Sequence, residues 1–198
     1  MKFDNIDNKR YTTTEGEEKW HSRSITVVGM ILMEHNDETY VILGKRGDAS
    51  PNEVGKYCMP CGFLDFNETC EEAVVREIYE ESGFNVYKAT ERYNVIHDQM
   101  HFPWRINSTP DSEAQNVSMH YALYLNTDVL AYGDVPELPE LTIENNAILD
   151  EVSEIKWVKI EDLHLYDLAF GHESIIKIYM TERKTHSSLL RGWDVSDH

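Results

Sequence analysis

Basic residues are scarce. Against 36 Asp and Glu, the 198-residue chain sets only 18 Lys and Arg, a formal net charge of -18. No Lys/Arg-rich run occurs, which argues against nonspecific attraction to DNA or to an anionic membrane. Cysteine is as sparse, with three residues at Cys58, Cys61 and Cys70. An odd number cannot pair fully within one chain, and nothing points to an oxidising compartment. Long apolar runs are missing too. The longest, Ile25 to Met33, is broken by Thr26 and falls far short of the roughly 20 residues that cross a bilayer. The opening MKFDNIDNKRYTTTEGEE is polar and mixed in charge, unlike a signal peptide. Together these absences predict a cytoplasmic protein whose partner is a small molecule, not nucleic acid or membrane; a homodimer is compatible with this. There are no internal repeats, and the length predicts one domain with a sizeable core. We expect it over residues 20–184, between a polar leader (1–19) and a polar tail (185–198).

What the chain does have is concentrated between Gly62 and Phe84, GFLDFNETCEEAVVREIYEESGF. Thr69 and Glu72 have the spacing of a capping box, and Ser82-Gly83 supplies a helix stop. At about 100° per residue, Glu77, Glu80 and Glu81 share one face, while Val74, Val75, Ile78 and Tyr79 point inward. Glu71 and Glu72 suit the first turn, where the helix dipole favours negative charge. The three later carboxylates do not, and each like-charge pair at this spacing costs on the order of 0.2–0.5 kcal/mol. Something positive must compensate them. Arg76 covers part, and hard divalent cations, which prefer carboxylate oxygens, would cover the rest. The alternative is a solvated acidic helix face.

The pattern Gly62-x5-Glu68-x7-Arg76-Glu77-Ile78-x-Glu80-Glu81-x-Gly83-Phe84 resembles the Nudix box, the signature of the Nudix hydrolase family. Every charged and glycine position matches, with Phe84 at a place more often aliphatic. The resemblance implies an α/β fold, a mixed sheet sandwiched between helices. It also implies Mg²⁺- or Mn²⁺-dependent hydrolysis of a nucleoside diphosphate linked to another group. On this basis Glu77, Glu80 and Glu81 are expected to hold metal, Arg76 to fix a helix carboxylate, and Glu68 to support the site. The residue before the box glycine often lends its carbonyl to a metal, which Cys61 can do although the family usually has Pro-Gly-Gly where this chain has Pro60-Cys61-Gly62. Basic residues ahead of the box approach phosphates in many members, making Arg46 and Lys56 candidates, or else solvated surface charges. A further carboxylate, acting as a metal ligand or general base, often precedes a strand ending Trp-Val in the family, and Glu151 fits best, Glu154 second.

Around the box, Ile25–Met33 reads as a central strand buried on both faces, and Thr39–Gly44 as its hairpin partner across Asn36-Asp37-Glu38. A short strand is expected within 57–65, another from Asn85 to His97, then a long loop from Asp98 to Gln115. In that loop Phe102 and Trp104 could stack on a nucleobase and Arg105 meet a phosphate or ribose; alternatively the aromatics anchor the loop to the core. Asn116–Leu125 and Glu151–Val158 read as strands, with an acidic connection over 126–150, and Ser174–Met180 as a helix core. Cys58-x2-Cys61 lacks the second pair that a structural zinc site normally shows. His97, His101 and His120 read as packed or surface residues. The substrate is expected to be a nucleoside diphosphate derivative such as ADP-ribose, a related nucleotide sugar or a dinucleotide. A triphosphate pyrophosphatase and a non-catalytic nucleotide-binding module are the alternatives.

Overall fold

A short antiparallel hairpin, β1 (Lys9–Thr12) with β2 (Glu18–His21), precedes the main sheet, so the polar leader carries regular structure. The structure, a computed structural model, describes residues 7–110, 115–127, 137–143 and 151–191, with side chains of the last helix only as far as Arg183. Much of the acidic connection over 126–150 lies outside the described residues.

The apolar run at Ile25 becomes β3 (Ile25–His35), the axis of an eight-stranded sheet. Asn36 and Asp37, both left-handed at φ 51° and 62°, make the two-residue turn that suits a twisted hairpin, and β4 (Glu38–Arg46) returns antiparallel. β5 (Tyr57–Cys58) pairs with β4, and β6 (Cys61–Phe63) pairs with β3. After helices α1 (Cys70–Ser82) and α2 (Val86–Arg92) come β7 (Asn94–Gln99), β8 (Arg105–Asn107), β9 (Val117–Asn126) and β10 (Val152–Lys159). The order is β10-β4-β3-β9-β7, with β3 and β9 parallel and the other pairs antiparallel, hence a mixed sheet. Two 3₁₀ segments (Ile160–Leu165 and Ala169–Gly171) lead into α3 (His172–Arg191).

Alternation along β3 divides the core. Val27, Ile31 and Met33 face Val74, Ile78 and Ala89 of α1 and α2. Val28, Met30 and Leu32 face Ile175, Ile176 and Tyr179 of α3. That two-sided burial explains why β3 is apolar on both faces from Val27 to Met33. No helix among the described residues is long and apolar enough to cross a membrane.

Three expectations are corrected. Residues 86–92 are helical, not strand, because the Asn85 side chain caps the segment by accepting the Lys88 N–H; the strand begins only at Asn94. The expected loop from Asp98 starts within β7 and contains β8, whose pairing with β9 ties the segment to the sheet. Tyr79 is exposed, since the buried arc of α1 is Ala73, Val74, Glu77, Ile78, Glu81 and Ser82, turned towards the carboxylates. In addition, α3 continues through Arg191, into the stretch expected to be tail.

α1 starts and stops as its sequence requires. Glu72 N–H donates to Thr69 Oγ1 at 3.2 Å, Thr69 N–H donates to Glu72 Oε2 at 2.7 Å, and Gly83 closes the helix at φ 67°. Thr69→Ala should therefore lower stability by about 1 kcal/mol. In a domain of this size the melting temperature should fall by about 2–4 °C; an unchanged melting curve would show the cap to be idle.

Candidate active site

β6 is three residues long, and its free edge assembles the site. The Gly29 N–H donates to the Pro60 carbonyl at 2.9 Å, and the Leu64 N–H to the Ile25 carbonyl at 3.2 Å. Antiparallel partners alternate between hydrogen-bonded and open pairs, so Gly62 is bonded to β3 while the main-chain groups of Cys61 and Phe63 point away from it. Both meet α1. The Cys61 N–H donates to Glu81 Oε2 at 3.1 Å, and the Phe63 carbonyl accepts from Arg76 Nη2 at 3.2 Å. Between them Gly62 lies under Glu77: a Cβ there would stand 2.2 Å from Glu77 Oε1. A residue with no side chain is what lets that carboxylate settle on the strand.

Arg76 is the counter-charge of the cluster. Its Nε and Nη2 grip both oxygens of Glu68 at 3.0 and 2.8 Å, a two-pronged contact that fixes the guanidinium. Its Nη1 donates to Glu77 Oε1 at 2.8 Å and to Glu80 Oε2 at 3.1 Å. Glu68 in turn accepts the Asp65 N–H at 2.8 Å, which ties the loop to the helix. Like charges on the last turns of α1 are thus offset by one cation held from below.

Burial pushes the two inner carboxyls upward. Glu81 stands well above the ordinary carboxylate range, through desolvation first and then through Cys58 and Glu77. Glu77 is also raised by desolvation, with Arg76 acting against it. Glu68 is lowered by its hydrogen bonds from Arg76.

This corner offers the oxygen donors that hard divalent cations take: Glu77, Glu80, Glu81 and the Cys61 carbonyl, which faces the same way as the Cys61 N–H. Among the described residues, no three acidic, His or Cys side chains already converge as a coordination shell. Arg76 draws Glu77 and Glu80 to itself, and Glu81 sits on the Cys61 amide. The donor chemistry and the hollow over Gly62 fit such an ion, and rotation of these flexible side chains is what would gather the shell.

Of the basic candidates, Arg46 joins this corner and Lys56 does not. The Arg46 charge acts on Glu81, Cys58 and Cys61, while its Nε donates to the Asn52 carbonyl at 2.9 Å. A cavity of about 280 Å³ opens beside it, walled by the loop after β4 and by Ser153. Lys56 pairs with Glu53 at 2.6 Å and approaches Asp167 at 3.9 Å. Glu151 stands exposed just before β10, its carbonyl accepting from Gly47 N–H and Ser50 Oγ. Glu154 binds Tyr57 Oη and Lys156. Phe102 is 79% exposed, Arg105 is exposed on β8, and Trp104 packs its ring on Tyr179 at 5.1 Å.

Two residues beside the site, Phe170 and His172, lie just ahead of the helix core expected over Ser174–Met180 and are not among the expected site residues. Phe170, left-handed at φ 57°, carries the Arg46 guanidinium 4.9 Å from its ring centre. His172 is buried, and its Nδ1 accepts the Met59 N–H at 3.0 Å. No local sequence signal marks them: the left-handed turn at Phe170-Gly171 becomes visible only in the fold.

His120 and His172 both lie in the second core, and burial lowers them to about 4 and about 3. In the unfolded chain they take protons near 6.5. Between these values only the unfolded state is protonated, so acidification through that window favours unfolding. At pH 5 the penalty for His120 is about 2 kcal/mol. The fall in melting temperature from pH 7 to pH 5 should therefore be smaller in His120→Leu than in the parent; equal falls would contradict this.

The fold and site now stand beside known proteins. A family model described as the NUDIX domain matches residues 23–178. The ADP-ribose pyrophosphatase of Methanocaldococcus jannaschii is 32% identical over 128 residues, 64% of this chain and 58% of that protein. The NAD-capped RNA hydrolase of Schizosaccharomyces pombe is 41% identical over 68 residues, 34% of this chain and 17% of that protein. The chain thus spans less than two thirds of either relative. Among solved structures, the NUDIX domain of Shewanella oneidensis NrtR complexed with ADP ribose superposes with a TM-score of 0.55 at 19% identity, covering 81% of this chain and 88% of that one. RenU, a Nudix hydrolase of M. smegmatis, gives 0.55 at 16%, covering 89% and 95%. At these identities the likeness speaks for the fold alone. The extent of the family match, over a chain that keeps every box carboxylate, settles the lineage: the chain belongs to the Nudix hydrolase family.

Proposed function

We propose that this chain hydrolyses the pyrophosphate linkage of a nucleoside diphosphate derivative, ADP-ribose or a related nucleotide sugar or dinucleotide, and releases a nucleoside monophosphate. The observation that carries this is the pair of buried carboxylates, Glu77 and Glu81, set against the open edge of β6. Burial of two acids against one strand is costly for stability and suits a site that works on a cation. Glu77, Glu80, Glu81 and the Cys61 carbonyl would hold Mg²⁺ or Mn²⁺. Divalent ions bound there would neutralise the phosphates and acidify a water.

Arg76 positions Glu77 and Glu80, and Glu68 keeps Arg76 in place. Arg46 lies beside the carboxylates as the cation for a substrate phosphate, with Lys56 and Arg105 as outlying candidates and Phe102 and Trp104 as aromatic neighbours. Glu151 remains the candidate general base. Water adds to one phosphorus, the bridging oxygen leaves with the other, and two phosphorylated products separate. The likeness to the Methanocaldococcus jannaschii ADP-ribose pyrophosphatase favours ADP-ribose over a triphosphate. The catalytic unit would be residues 20–184, acting in the cytoplasm, between the leader (1–19) and the tail (185–198).

A panel of nucleoside diphosphate derivatives with Mg²⁺ or Mn²⁺, scored for released monophosphate, tests the reading. ADP-ribose or a close analogue should be the best substrate. Absence of release from every compound would reject it.

A further inference from the structure

Among the described residues, three buried side-chain polar atoms have no hydrogen-bond partner: Trp104 Nε1 and both ring nitrogens of His120. His120 is only 2% exposed, and its ring lies 6.4 Å from that of Trp104. Leaving such atoms dry costs about 1–3 kcal/mol each, so three in one place call for an occupant that pairs with them.

We infer that Trp104 and His120 form the subsite that reads the edge of the substrate's nucleobase, which rests on the hydrolase reading above. The sheet places them at the right remove. Cys61 opposes Val28, Val28 neighbours His120, and alternation puts these side chains on one face. Two strand spacings separate His120 from Cys61, about 10 Å, which is the reach of a nucleoside from its phosphate to its base edge. A line of rings joins the two ends. Phe170 and His172 lie 5.6 Å apart, His172 and His120 6.5 Å, and Trp104 and Tyr179 5.1 Å. Of these rings Phe170, 45% exposed, presents an open stacking face, while His172 and Tyr179 are buried behind it.

The chemistry selects a base over a phosphate. Burial keeps both imidazoles uncharged at neutral pH, so neither ring holds an anion, and the cation Arg46 stands at the Phe170 end of the line, where the phosphates would lie. Neutral His120 presents one donor and one acceptor, and the indole adds a second donor. A nucleobase edge, with its own donors and acceptors, complements that set. Trp104 is the half-buried member of the pair, fixed beside His120 by its backbone N–H, which donates to the His120 carbonyl at 2.9 Å.

Equilibrium binding of AMP, GMP, CMP, UMP and ribose 5-phosphate, measured by calorimetry without metal, tests this. At least one nucleoside monophosphate should bind the parent chain. Its Kd should rise about tenfold in His120→Leu and in Trp104→Phe, the loss expected for one neutral hydrogen-bonded pair. Ribose 5-phosphate should bind parent and variants alike. Should His120→Leu fail to fold, Trp104→Phe, which keeps the ring and removes only the indole donor, decides alone. Equal affinities in parent and variants, no monophosphate bound, or an equal loss for ribose 5-phosphate would each overturn the assignment. Base-dependent binding without turnover of any compound would reject the hydrolase and leave this subsite standing.

Discussion

Glu81→Gln should remove nearly all metal-dependent turnover and at the same time raise the melting temperature. The carboxylate is 8% exposed, and the Cys61 N–H is its one neutral donor among the described hydrogen bonds. Glutamine keeps an acceptor for that N–H and removes the desolvated charge, so the fold loses a burden. On the proposed reading the chemistry loses an oxygen ligand, and kcat should fall by about 10²–10³-fold, the range seen when one electrostatic contact to a transition state is deleted. Each kcal/mol relieved should lift the melting temperature by about 2–4 °C. Near-normal turnover would reject the site, and a lowered melting point would mean that the charge is structurally needed.

Gly62→Ala should be nearly as damaging for a different reason. The added methyl carbon would meet Glu77 Oε1 at 2.2 Å and Oε2 at 2.7 Å. Those atoms are the far end of a flexible side chain, and Gly62 is not among the glycines with positive φ, so the fold can adjust. The carboxylate cannot stay where it is. Displacing a working group by about 1 Å costs about 10²-fold in rate. The expected result is therefore a folded, thermally near-normal protein with about one hundredth of the parental kcat, checked by circular dichroism beside steady-state kinetics. Full activity would detach Glu77 from the reaction.

Much of α1 was legible in advance because its determinants are local. The capping pair Thr69 and Glu72, the stop at Gly83 and the grouping of acids at one end all lie within one stretch of chain. The β3–β4 hairpin was legible for the same reason, from two apolar runs and an Asn-Asp turn. α2 was missed because seven residues show too little periodicity, and the evidence for it is one Asn85 cap. β8 was missed because three residues become a strand only by lying against β9. The acidic face itself was read correctly as a group, but not its direction. That Glu77 and Glu81 face inward depends on Gly62 and Cys61, which arrive from another strand. Likewise Phe170 joins the site only because α3 begins beside Arg46.

The open edge of β6 carries an odd-and-even rule. Residues 61 and 63 address the helix with their main chain, and residue 62 does so with its bare Cα. Inserting or deleting one amino acid between Met59 and Gly62 would exchange these parts, turning the outward carbonyl into the ladder and presenting a side chain where the hollow is. What this segment must keep is its count, while the side chain at 61 leans to the other face and is free of that demand. A cysteine can therefore occupy the position without altering what the strand offers to the helix.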